Sequence, residues 1–75
     1  MAEQKEIFER YLIITILVKY LTKTFFKGDR YRAVTWINQN NSHFEGASPK
    51  ELILNGRASK VWSFIESSEY DKAQI

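Results

Sequence analysis

Between Ile7 and Phe26 the chain carries apolar side chains on more than one helical face at once, and that surplus limits the fold more than any motif does. Ile7, Tyr11, Ile14, Val18, Leu21 and Phe25 recur at alternating steps of four and three, which predicts a helix over about residues 3–26 with a narrow apolar stripe. Ile13, Leu17 and Tyr20 form a second stripe, so the middle of this helix is apolar over most of its circumference. Glu3 and Glu6 near its start and Lys23 and Lys27 near its end follow the order the helix dipole favours. Gly28 supplies the stop. Twenty-four residues at about 1.5 Å each span about 36 Å, whereas a compact domain of this size is roughly 29 Å across. Such a helix either breaks near Thr22–Thr24 or packs against a second chain. A homodimer is the expectation, with Ile7, Tyr11, Ile14, Val18, Leu21 and Phe25 in its interface.

Composition points the same way. Seventy-five residues make one domain, and about 60–65% burial of the unfolded surface leaves stability marginal. Disulfides, a metal or a partner chain are the usual supplements, and with no cysteine and one histidine the partner remains. The same counts exclude a Cys/His zinc site, thiol chemistry and redox motifs, and no cofactor is expected. The eight-residue run Tyr11–Val18 is bounded by Arg10 and Lys19, far short of the about 20 residues that span a membrane. Acidic residues precede it and no small-residue cleavage site comes after it, so it does not read as a signal peptide either. A cytoplasmic location with no membrane partner is expected, the lack of cysteine being in keeping with a reducing compartment. Met1 ahead of an acidic first turn is what a complete chain would show.

Gly28, Gly46 and Gly56 divide the rest. Asp29 is the expected N-cap of a second helix to about Asn38, with Ala33, Trp36 and Ile37 facing inward. Residues 38–47 form a turn-rich loop with one large apolar residue, Phe44. Ser48-Pro49-Lys50-Glu51 reads as a capping box with proline at N1, opening a third, short helix that Gly56 ends. A fourth helix covers about 58–67, with Ala58, Val61, Trp62 and Ile65 on one face and Phe64 beside it. Residues 68–75 are mostly polar and read as a loose tail apart from Tyr70. The fold class is therefore all-α, a small bundle of about four helices in which a long N-terminal helix precedes three short ones.

Catalytic chemistry finds little support. Ser42 and His43 are neighbours in a loop without an acid to orient the imidazole. The carboxylates are scattered, with no pair set in apolar surroundings, and no glycine-rich phosphate loop exists. Charge is mildly uneven: residues 1–37 hold seven Lys/Arg against four acids, and residues 38–75 four against five. The segment 19–32 places Lys19, Lys23, Lys27, Arg30 and Arg32 among Tyr20, Phe25, Phe26 and Tyr31. Cations interleaved with rings suit single-stranded nucleic acid or an acidic protein surface. The plainer account is a solvated lysine row at i, i+4 and i+8 with the aromatics turned inward.

From Ala33 to Ile65 the chain resembles the toxin-binding domain of Xre/MbcA/ParS-type antitoxins. The residues that carry the resemblance are Ala33-Val34-Thr35-Trp36-Ile37, then Asn41 to Phe44, Gly46 and Pro49, then Glu51-Leu52-Ile53, then Val61-Trp62-Ser63-Phe64-Ile65. They cover a little under half of the chain. The resemblance implies an antitoxin that occludes the active site of a RES-type toxin, an enzyme that attacks NAD, through its last helix and C-terminal region. Trp62, Ile65, Glu66, Glu69 and Tyr70 are the partner contacts expected on that basis. Two departures stand out: residues 1–32 offer one long helix in place of a helix-turn-helix domain, and Ser67-Ser68-Glu69 stands where the family tends to have glycine. Alternatives are a short phage-encoded inhibitor of a host or defence complex, and a small nucleic-acid-binding protein using residues 19–32.

Overall fold

The computed structural model describes residues 2–68, with side chains from Lys5 onward. Helix α1 runs over Ala2–Thr24, α2 over Arg30–Asn38, a 3₁₀ turn over Ser42–Phe44, α3 over Pro49–Leu54 and α4 over Ala58–Ser68. No strand occurs among the described residues. The all-α expectation holds, with one long helix and three shorter ones.

The first helix is unbroken. Twenty-three residues at about 1.5 Å each make it about 34 Å long, and it sets the long dimension of a molecule measuring 40 × 26 × 18 Å. It ends at Thr24, one turn short of the stop glycine. Lys27 and Gly28 both take left-handed backbone angles, φ 51° and 91°, and the Gly28 N–H returns to the Thr22 carbonyl at 2.7 Å. That reversal throws Phe26 inward, where it is buried, with the Arg32 guanidinium 5.2 Å from its ring centre. Lys27 therefore leaves the helical row of Lys19 and Lys23 and stands in the turn.

Local capping fixes the other elements. Asp29 accepts from the Arg32 N–H at 3.2 Å and starts α2. Asn41 accepts from the His43 N–H at 2.9 Å and starts the 3₁₀ turn, which puts Phe44 into the core. Ser48, itself buried, accepts from the Glu51 N–H at 3.1 Å, with Pro49 opening α3. Glu45 and Gly46, at φ 57° and 87°, make the bend between turn and helix.

The core forms where α1 packs on α2 and α3, and α3 on α4. Leu17, Val18 and Leu21 of α1 meet Ala33, Trp36 and Ile37 of α2, with Phe44, Leu52, Ile53, Val61 and Ile65 completing it. Trp36 lies edge-on to Phe44 at 6.5 Å and stacked on Phe64 at 6.3 Å, between ring centroids. Arg10 ties α1 to the far side of the bundle by donating to the Leu54 carbonyl at 2.8 Å. It also approaches Glu6 at 3.9 Å.

The expected dimer stripe is divided by this packing. Val18 and Leu21 are buried in the chain's own core, and Ile14 and Phe25 pack against it. Only Ile7 and Tyr11 of the six remain exposed. The cause is geometric: the six residues mark one edge of a helix whose middle is apolar over most of its circumference, and α2 and α3 cover the side centred on Leu17 and Leu21. Ser68, read as the start of the tail, is instead the last residue of α4. It is buried, with its hydroxyl donating to the Phe64 carbonyl at 2.8 Å.

Candidate functional site

Helix α4 presents two unlike sides. Val61 and Ile65 point into the core, and Ile65 has 0% of its surface exposed. It has no area to offer a partner and is removed from the expected contacts. Trp62 is half-buried, its ring edge-on to Tyr20 at 5.7 Å, so it serves the packing of α4 on α1 and keeps part of its surface open. Glu66 is exposed, in line with Ser59, Lys60, Ser63 and Ser67. The outward side of α4 is thus polar and bordered by Trp62. Glu69 and Tyr70 lie outside the described residues.

The loop before α3 holds the one histidine. His43 is exposed, and its ring centre stands 4.6 Å from that of Phe64. This is a packing contact over the aromatic cluster, and neither Ser42 nor a carboxylate is hydrogen-bonded to the imidazole among the described residues. No group of acids and histidine there is placed to hold a metal ion.

Of the five basic residues in 19–32, the fold brings three together. Lys19, Lys23 and Arg30 line a groove between α1 and α2 of about 310 Å³, floored by Val18 and Thr22. Arg32 sits over Phe26 instead, and Lys27 projects from the turn. Tyr31, expected among the inward aromatics, is 80% exposed.

The feature that sequence periodicity left unlocated is the outer side of α1. Ile7, Phe8, Tyr11, Leu12 and Ile16 are all exposed there, Phe8 to 65%. All five fall in its first four turns; Phe8, Leu12 and Ile16 lie on the side of the helix away from Leu17 and Leu21, with Tyr11 at the flank and Ile7 nearer the core side. Exposed apolar patches of this extent mark interaction surfaces. Ile7 and Tyr11 belong to the stripe assigned from the sequence; Phe8, Leu12 and Ile16 are the apolar residues left over beside it.

No helix among the described residues is long and apolar enough to cross a membrane. Compared with protein-family models, with curated proteins and with solved structures, the chain matches none.

Proposed function

We propose that this chain is a non-catalytic protein-binding inhibitor of the cytoplasm, acting as antitoxins of the Xre/MbcA/ParS type do on RES-type toxins that attack NAD. The observation that carries this reading is the convergence of the resembling residues on one small core. Trp36, Phe44, Leu52, Ile53, Val61 and Ile65 pack together, with Gly46 in the left-handed turn and Pro49 opening α3. Those are the roles the shared pattern requires, and the agreement supports the resemblance on which the function rests. The inhibitory contact is assigned to the polar side of α4, with Trp62 and Glu66, and to Glu69 and Tyr70 beyond it. The mechanism is steric: the end of α4, together with residues 69–75, fills the toxin's cleft and denies it NAD.

Co-expression with RES-domain toxins, combined with an assay of cellular NAD, tests the reading. Neutralisation keeps NAD at the level of a toxin-free culture. NAD falling to the toxin-only level beside a folded, expressed chain overturns it and leaves a different protein target, such as a host or defence complex.

A second reading rests on the groove of Lys19, Lys23 and Arg30. Three cations on a single strand would give binding whose log–log salt slope is about −2, from about 0.7 per phosphate. Titration of single-stranded DNA and RNA at several salt concentrations checks this, and absence of salt-dependent binding removes it.

A further inference from the structure

Phe8, Leu12 and Ile16 form one row at i, i+4 along α1, and Ile7, Tyr11 and Thr15 form a second row beside it. Residues four apart stand one above the other, so the two rows are ridges with a groove between them, the relief into which another helix packs. Five of the six are large apolar side chains, each 45–65% exposed. The sixth, Thr15, donates its hydroxyl to the Tyr11 carbonyl at 3.1 Å. Covering this strip therefore leaves no unpaired threonine hydroxyl in an apolar interface.

We propose that this face of α1 binds a second copy of the chain, the two α1 helices running antiparallel about a two-fold axis beside Tyr11 and Leu12. Area supports a copy as the occupant. Aromatic side chains carry about 150–250 Å² each and Ile and Leu somewhat less; half-exposed, the five offer at most on the order of 500 Å² per copy. Two copies together bury on the order of 1,000 Å², the lower limit for a biological interface. Symmetry supports it as well, because a straight double ridge meets its own copy on equal terms across a two-fold axis, the commonest arrangement of homodimers.

Charge selects the orientation. Lys19 and Lys23 prolong the row of Ile7, Tyr11 and Thr15 toward the C-terminal end of α1, and both are exposed. A parallel pair gathers all four lysines at one end of the interface. An antiparallel pair sends the two lysine couples to opposite ends of the interface and so removes that repulsion. The interface uses the side of α1 away from the core and leaves α4 uncovered, so it stands independently of the inhibitor reading.

Light scattering behind a sizing column tests the proposal. The purified chain is expected at about twice 8.9 kDa, persisting on dilution into the micromolar range. The double variant Phe8→Glu, Leu12→Glu is expected at half that mass with an unchanged helical circular dichroism spectrum. A wild-type monomer at millimolar concentration, or a double variant that remains dimeric, overturns it. Disulfide trapping gives a second readout without adding charge, since the chain has no cysteine of its own. Mixed Phe8→Cys and Thr15→Cys chains should form the crossed disulfide on mild oxidation, with Thr15→Cys alone staying uncrosslinked. Rapid crosslinking of Thr15→Cys with itself and no crossed product overturns the antiparallel arrangement.

Discussion

Helices α1 and α4 leave opposite kinds of surface facing water. Over its 11 residues α4 buries Val61 and Ile65, half-buries Trp62 and Phe64 among aromatic rings, and turns Ser59, Lys60, Ser63, Glu66 and Ser67 outward. Over its 23 residues α1 buries Leu17, Val18 and Leu21, and still leaves five large apolar side chains exposed. Length accounts for the contrast. A helix of about 16 Å lies within the body of a domain this small, and its own chain covers its apolar side. A helix of about 34 Å is covered over one side and only along part of its length. The remainder waits for another molecule, which makes α1 the apolar interface and α4 the polar one.

The contrast is broken most forcefully by truncating one side chain from each helix. Ile65→Ala empties a site with no exposed surface, and should cost about 2–5 kcal/mol of folding stability, lowering Tm by at least about 10 °C. Leu12→Ala, on the open face of α1, should leave the unfolding free energy of the monomer within about 1 kcal/mol while shifting the mass distribution toward monomer. Denaturant melts at fixed low protein concentration, paired with scattering, separate the two. Equal destabilisation by both changes would mean that α1's outer face is already covered within one chain.

Trp62→Ala comes next. The residue stands between the two regimes, half-buried against Tyr20 with part of its surface open. Its loss should cost about 1–3 kcal/mol, the aromatic pair itself supplying about 0.5–1.5 kcal/mol of that. A thermal melt reads the cost directly. No change in Tm would free Trp62 from the core and make it a contact residue alone.

Legibility in the sequence tracks how local each cause is. The caps at Asp29 and Ser48 and the proline at the start of α3 act within three residues, and each stands where the pattern predicts it. Trp36 and Phe44 were identifiable as core because few other large side chains flank that loop. The 3₁₀ turn was hidden in a polar stretch, although Asn41, two residues before the His43 N–H it accepts from, carried the signal. The exposed face of α1 was not legible in the same way. Periodicity finds an apolar arc when the rest of the helix is polar, and here Ile13, Leu17 and Tyr20 flank one side of the stripe while Phe8, Leu12 and Ile16 flank the other. Only α2 and α3, distant in sequence, decide which side closes. The candidate contact Ile65 failed for the converse reason: its place in the resembling pattern Val61-Trp62-Ser63-Phe64-Ile65 is that of a core residue, and only its neighbours Trp62 and Glu66 reach the surface.

Arg10 sharpens the comparison at smaller amplitude, because it holds the overhanging half of α1 to the body. Replacing it by Met keeps much of the stem and removes the hydrogen bond to Leu54. About 1–2 kcal/mol of stability should go with it, in the range of a charge-assisted hydrogen bond. Hydrogen exchange should rise in the first three turns of α1 before it rises in α4. Uniform acceleration across both helices would show that the overhang does not move separately.

Glu66→Ala is the smallest change in stability and the most discriminating for function. The side chain is exposed on the polar side of α4, and surface substitutions of this kind stay within about 0.5 kcal/mol. Its melt and its dimer mass should therefore match those of the parent chain. If α4 carries the inhibitory contact, the same change lowers neutralisation of a RES-type toxin while fold and self-association stay intact. Phe8→Glu with Leu12→Glu should do the reverse, abolishing the dimer while the fold and the side of α4 that meets the toxin are kept. Loss of neutralisation by the α1 variant alone would move the inhibitory surface from the polar helix to the apolar one. The five exposed side chains of α1 would then be the toxin's docking site and not the copy's.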